Sequence, residues 1–529
     1  MAVISFMQCI SDDWNLLFPV DGEKVTHYAG IMFRNPIIPG FNPDPSICKF
    51  GRTFYVVTST FEYFPGITIW ESTDLVNWSY CDSVLKTPET LDLDKSPDSL
   101  GLYAATIRYH EGRFFVVCTN KYLKYNFVVS SASIHGPWTK PAFIYKMGID
   151  PSLFFTDDGR CFYTSNGEID PYTKSRGIFG AFINPLTGEM LEEFKPIAES
   201  CGGHSTEAPH IYKRDGWYYL ILAEGGTGTG HHVCALRSRE IHGPYEKCPY
   251  NPILSHAERK GHPIQCTGHA DLLELEDGRW IAVFLGTRKN TDIPATTLGR
   301  ETFLAPVTWT DDGWPIIGNN GFVELEMADI LSAAHKASPE MSVDFSRNLS
   351  EYPLLKLRVP KDECYILDKA DRKLTLVGQD ALSTPLGHPT MLALRQPSFS
   401  CELSTELDIS TLEGNAGIAT WLRTDHNYRL GISKADDSLL CRLTRRAHDF
   451  EAHTAEVAMD DPGTSVELSV KITPKSYNFY VNNVLIDSCH YANLTTSCAL
   501  GNCFTGTLLG IFAENGRATF LDGIRLKEI

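Results

Sequence analysis

Pro43-Asp44-Pro45-Ser46-Ile47-Cys48-Lys49-Phe50-Gly51-Arg52-Thr53-Phe54-Tyr55-Val56-Val57-Thr58 sets an acidic residue in a Pro-flanked turn. A short apolar strand, a Gly turn and an aromatic-rich strand follow. The layout returns four times. Tyr103-Ala104-Ala105-Thr106-Ile107 leads to Gly112-Arg113, and Asp150-Pro151-Ser152-Leu153 to Gly159-Arg160. Glu207-Ala208-Pro209-His210-Ile211 leads to Gly216-Trp217, and His269-Ala270-Asp271-Leu272-Leu273 to Gly278-Arg279. Repeats of roughly 40–60 residues made of short strands and Gly turns are the sequence sign of a β-propeller. Each copy carries a second strand pair, as in Ile67-Thr68-Ile69-Trp70 running on to Trp78. Five copies of four strands predict five blades around one axis.

In a propeller the first strand of each blade lines the axis, so the residue before it faces a shared cavity. Asp44, Asp150 and Glu207 stand at that position. Three carboxylates converging on one funnel repel one another, which separates their pKa values. Separated carboxylates are what glycoside hydrolysis requires.

The chain has 529 residues, more than one ordinary domain. Residues 1–34 read as an N-terminal extension, 35–325 as the propeller, 326–342 as a linker and 343–529 as a second domain. Within Leu325–Ala337 the sequence tolerates one or two helical turns. Val307-Thr308-Trp309 and Gly313-Trp314-Pro315 are expected to bring the last blade back beside the first. After residue 343 alternation dominates, as in Phe399–Leu407, Val466–Ile472 and Tyr477–Val481, with Asn482-Asn483 suited to a hairpin turn. This predicts a β-sandwich of jelly-roll or lectin-like type. The fold class is all-β throughout.

A net charge of −18 argues against nucleic acid and anionic membranes as partners, and suits a neutral saccharide. The N-terminus lacks a basic region before its apolar run, and no run is long enough to span a bilayer. A cytoplasmic protein is the expectation, or a secreted one if the N-terminus has been processed. The fifteen cysteines include no CxxC pair and read as small buried thiols. His204 and His231-His232 show no ligand spacing with a carboxylate or cysteine.

Asn42-Pro43-Asp44-Pro45-Ser46, Thr58-Ser59-Thr60-Phe61-Glu62, Asp74-Leu75-Val76-Asn77-Trp78, Thr206-Glu207-Ala208-Pro209-His210 and Leu298-Gly299-Arg300-Glu301 together resemble glycoside hydrolase family 43. The resemblance is to its β-xylosidase and α-L-arabinofuranosidase branches with a C-terminal β-sandwich. It implies an inverting exo-glycosidase acting on xylan-derived oligosaccharide or arabinoxylan, with Asp44 as general base, Glu207 as general acid and Asp150 orienting the acid and raising its pKa. It further implies substrate contacts from Arg288, Phe61, Tyr103 and the sandwich-domain Phe504. It also implies an axial His269 that faces water or a structural calcium in some members. No cofactor is required. Tyr103-Ala104-Ala105 departs from the Trp-Ala-Pro of xylosidase members, which leaves xylose against arabinose open. Two other readings are a retaining β-fructosidase, whose Trp-Met-Asn-Asp-Pro-like segment is absent from Asn42–Pro45, and a non-catalytic carbohydrate-binding propeller.

Overall fold

The computed structural model describes residues 32–88, 93–145, 148–170, 172–290, 295–328, 330, 341–435, 438–460, 463–498 and 503–529. Five antiparallel sheets, each made of consecutive strands, form the blades. The first holds Ser46–Phe50, Thr53–Thr58, Gly66–Ser72 and Ser79–Leu85. The second runs from Leu102–His110 to Ala142–Ile144, the third from Ser152–Phe155 to Lys195–Glu199. The fourth runs from Glu207–Arg214 to Glu246–Lys247, with Leu254–Ser255 added, and the fifth from Ile264–Glu274 to Pro315–Ile317. Aromatic and β-branched residues fill these strands because such side chains pack on a pleated, half-buried surface. Gly51, Gly112, Gly159, Gly216 and Gly278 all turn at positive φ between the two inner strands, a conformation Gly adopts at no steric cost.

Ring closure differs from expectation. Pro315–Ile317 pairs only with Glu301–Trp309 of its own blade. The chain entering the first blade makes the junction instead. Ile38 bridges Thr302, and the Asn35 side chain donates to Leu304 O and accepts from Leu304 N, both at 2.9 Å. An amide side chain offers the same donor and acceptor pair as a peptide, so Asn35 substitutes for a strand partner. Met32–Arg34 then pairs with Glu326–Ala328. That ribbon overrules a helical turn at 326–328, and straddles the expected boundaries at 34 and 325. The rest of the expected helical segment, like residues 1–31, lies outside the described residues.

The second domain is a sandwich of two antiparallel sheets. One has eight strands centred on Arg517–Glu528 and Cys401–Asp408; the other has six, from Thr390–Arg395 to Phe450–Met459. Alternating buried residues such as Leu403, Leu407, Val466, Leu468 and Val470 meet Ile418, Leu430, Ile432 and Ile511 in one core. Asn482 and Asn483 both take positive φ, as a two-residue hairpin with strand-matched twist requires. Lys356–Leu357 pairs with Tyr63–Phe64 of the first blade, so the domains share main-chain hydrogen bonds. Among the described residues no helix is long and apolar enough to cross a membrane.

Candidate active site

A cavity of about 340 Å³ opens on the propeller axis, lined by Asp44, Phe61, Tyr103, Asp150, Glu207, Thr227, His231, His269, Arg300 and Phe504 among others. Its carboxylates are held by unusual backbone. Asp44, Asp150, Ala208 and His269 all have φ between 53° and 54°. The left-handed region is costly outside Gly and least so for Asp and Asn, and strain of this kind clusters at functional positions. Three of the four residues precede proline at the start of an inner strand, and His269 lies at an irregularity within Ile264–Glu274. The fourth blade thus carries Ala208, not Glu207, at the position equivalent to Asp44 and Asp150. Glu207 sits one residue earlier, where the register to Trp217–Glu224 shifts between Glu207 and His210. The same irregularity recurs at Leu102/Ala105 and Gly268/Asp271. Bulges of this kind re-aim side chains beside active sites.

Asp44 is almost wholly buried. Arg300 Nη1 donates to Oδ1 at 2.7 Å and Ser59 Oγ donates to Oδ2 at 2.8 Å. Burial alone would raise the Asp44 pKa, but Arg300, His269, Ser59 and His231 together bring it below the ordinary value. Glu207 moves the other way, to about 7, through burial first and the Asp44 charge second, with Arg176, Arg300 and Lys121 opposing. Asp150 also rises to about 7, through burial and then the charges of Glu207 and Asp44, against His269 and Arg300. The anion that raises Glu207 is therefore Asp44, and Asp150 is itself a raised carboxyl, pushed up in part by the charge of Glu207. Asn166 connects the two: its Oδ1 accepts from Ile149 N and Arg176, and its Nδ2 donates to Thr206 O.

Arg288 does not reach the cavity. It forms two bonds to the buried Glu301, Nε to Oε2 at 2.8 Å and Nη2 to Oε1 at 2.9 Å, and a third to Pro397 O of the sandwich. The arginine on the cavity is Arg300. Neighbouring residues at a strand start face opposite ways, so Arg300 meets the cavity while Glu301 turns to the domain junction and takes Arg288. The motif Gly299-Arg300-Glu301 held this signal in its alternation.

Phe61, Tyr103 and Phe504 form one aromatic wall. Phe61 lies 5.2 Å from Tyr103 and 5.9 Å from Phe504, ring centre to ring centre. Phe504 comes from the second domain and is fixed by Ser99 Oγ accepting its N–H at 3.0 Å and by Arg300 donating to its carbonyl at 3.2 Å. His269 Nδ1 stands 3.9 Å from Asp44 and 4.0 Å from Asp150. Calcium takes six to eight oxygen ligands. The oxygens nearest His269 are engaged by Arg300 or belong to a raised carboxyl, so direct calcium ligation by these side chains does not fit.

Below the carboxylates lies a hub that the sequence reading passed over. Asp271, fully buried, accepts from Ser46 Oγ at 2.6 Å, Ile47 N at 3.0 Å, Arg108 at 2.7 and 3.0 Å, and Tyr212 OH. Arg108 also reaches His210, which touches Ser152 at 2.9 Å. Side chains of four blades thereby meet at one carboxylate, and the third blade joins them through Ser152 and His210.

A family model described as "Glycosyl hydrolases family 43" matches residues 33–315, and one described as "Beta xylosidase C-terminal Concanavalin A-like domain" matches 342–520. A non-reducing end α-L-arabinofuranosidase of Bacteroides ovatus is 35% identical over 92% of both chains. A β-xylosidase of Bacillus subtilis is 31% identical over 76% of this chain and 79% of its own. Among solved structures, a xylan β-1,4-xylosidase from Bacillus halodurans superposes with a TM-score of 0.85 at 29% identity. It covers 94% of this chain and 100% of that one.

Proposed function

Because this chain belongs to glycoside hydrolase family 43, we propose that it removes single pentoses from the ends of xylan-derived saccharides by inversion, first of all as a β-xylosidase. It is a glycoside hydrolase of xylosidase and arabinofuranosidase kinship. The observation that carries the mechanism is the opposite displacement of two carboxyls in one cavity, Asp44 downward and Glu207 up to about 7. Asp44, ionised and held by Arg300 and Ser59, is the base that takes a proton from water. Glu207, protonated below neutrality, gives its proton to the departing glycosidic oxygen. Asp150 positions the acid, because Asn166 ties Ile149, next to Asp150, to Thr206, next to Glu207. The aromatic wall closed by Phe504 makes the cavity a dead end, which suits a chain terminus. The scheme needs no redox or nucleotide cofactor, and an axial cation at His269 would be held through water.

A second reading, α-L-arabinofuranosidase, is favoured by the Bacteroides ovatus relative and by Tyr103 in the wall. Both are tested together. Wild type and Glu207→Gln are assayed on aryl β-xylosides and aryl α-L-arabinofuranosides with good and poor leaving groups. General-acid loss costs about 10²–10⁴ in rate where the leaving group needs a proton, and far less where it does not. Full activity of Glu207→Gln on the poor leaving group would defeat the assignment. The faster wild-type sugar decides between the two readings.

A further inference from the structure

Behind the general acid lies a second group of donors, which cross-strand pairing assembles from residues that show no ligand spacing in sequence. Glu224 ends the strand Trp217–Glu224 and His232 begins His232–Ser238; the two are directly paired. Cys234, two residues on, shares the face of His232. One donor atom from each of Glu224, His232 and Cys234 lies within 4.8 Å of the others. His232 Nε2 is 3.8 Å from Glu224 Oε2. That exceeds a hydrogen bond and approaches the roughly 3.4 Å between two light-atom ligands of one tetrahedral zinc. His232 Nδ1 lies 2.8 Å from Gly230 O, where it donates. A carbonyl only accepts, so Nδ1 carries a proton, and Nε2 is the nitrogen that can take a metal once its own proton is displaced. The Cys201 thiol is a hydrogen-bond partner of Cys234. Glu224 is 1% exposed and His232 is its one ion-pair partner among the described residues, so a buried anionic charge faces this gap.

We propose that Glu224, His232 and Cys234 bind a thiophilic divalent cation of the zinc type, and that loading slows the glycosidase. A Cys, His and carboxylate set is one that zinc accepts. Cysteine ligates as thiolate, so its proton leaves to solvent on binding. The partly exposed ring of His232 gives the ion a way in.

The coupling to catalysis rests on the assignment of Glu207 as acid. Glu224 Oε1 accepts from Cys201 N at 2.7 Å and Thr206 Oγ1 at 3.0 Å, and Oε2 from Gly203 N at 2.9 Å. One carboxylate thus fastens the segment that ends at Thr206, next to Glu207. A Cβ on Gly203 would lie 2.6 Å from Glu224 Oε2, so the packing is tight. An ion drawing Oε2 toward itself withdraws part of this anchor and displaces the acid.

Chelator-treated full-length protein is titrated with Co²⁺, then Zn²⁺. One equivalent of cobalt giving a thiolate-to-cobalt charge-transfer band, lost when zinc is added, is expected. Cys234→Ser abolishes the band. His232→Ala, a change at a half-buried ring, weakens cobalt affinity about 10–100-fold. Absence of the band in wild type, or an unchanged band in both variants, overturns the site. The cluster Asp425, His426 and His448 has the Cys498 thiol beside it, so a band that survives Cys234→Ser belongs to that cluster. On an aryl glycoside with a poor leaving group, one equivalent of zinc lowers wild-type kcat about tenfold or more, and the ratio of loaded to unloaded rate returns to unity in Cys234→Ser. A normal band with an unchanged rate overturns the coupling alone. Protein that shows the band but hydrolyses no glycoside refutes the function proposed above, not the site.

Discussion

The fold disfavours the ionised state of Glu207 and of Asp150. The folded pKa of Glu207, about 7, lies above its ordinary 4.5. The stability it contributes is therefore fully present below about 4.5 and lost as the pH rises through about 7. At 1.36 kcal/mol per unit the loss is about 3 kcal/mol. Glu207→Gln is expected to melt above wild type at about pH 8 and close to it at about pH 5, read by calorimetry at both; an equal gain at both would mean packing, not ionisation. Asp44 has the opposite sign. Its depressed pKa contributes stability above about 3.8 that is lost as pH falls through the folded value. Arg300→Gln removes its strongest stabilising charge, so the acid limb of the kcat/KM profile should move up by about one to three units. An unmoved limb would assign that limb to another group. Asp44 and Asp150 were legible in sequence because Pro-flanked acids repeat at the blade period. Arg300 was legible only through strand alternation, and Arg288, on the neighbouring strand at the same sheet end, drew the expectation instead.

Among the elements, the inner strands do two jobs at their two ends. At the cavity end, left-handed residues and bulges aim Asp44, Asp150, Glu207 and His269. Further along the axis, Asp271 ties the same strands together. Its partners Ser46, Arg108 and Tyr212 are separated from it by 225, 163 and 59 residues. No local pattern could announce such a hub, whereas the blades, built from adjacent strands and Gly turns, were announced by local pattern alone. The Glu224, His232 and Cys234 group escaped notice for the same reason, since only the pairing register brings it together. Arg108 binds Asp271 through two nitrogens, and the charge holds the Asp271 pKa far below the ordinary range despite burial. Asp271→Asn leaves a buried guanidinium without its counter-charge, a change that costs about 3–5 kcal/mol. Urea unfolding should show the midpoint falling at constant slope. A midpoint within error of wild type would mean that the blades do not depend on this axis.

For the whole molecule, the decisive contact is where the sandwich meets the propeller. The carboxylates proposed as catalytic belong to one domain and the aromatic at the cavity wall, Phe504, to the other. The junction is built for close approach: a Cβ on Gly506 would lie 2.3 Å from Leu298 O and 2.9 Å from Gly299 N. Arg300 stands at the same place, bonded to Asp44 on one side and to the Phe504 carbonyl on the other. Docking of the second domain is thus coupled to the geometry of the base. Gly506→Ala cannot be accommodated by side-chain movement, because the obstructing atoms are backbone. The Phe504 segment must lift from the propeller while both cores, remote from the contact, remain packed. Displacement on the order of 1 Å at a catalytic constellation costs about 100-fold, so kcat/KM on aryl glycosides is expected to fall by that order, with KM rising as the wall opens. Calorimetry should show a single transition in wild type separating into two in the variant, since the interface that couples the domains is lost while each core persists. Unchanged KM together with a single transition would show that the second domain is a passenger, and that the dead end is made by the propeller alone.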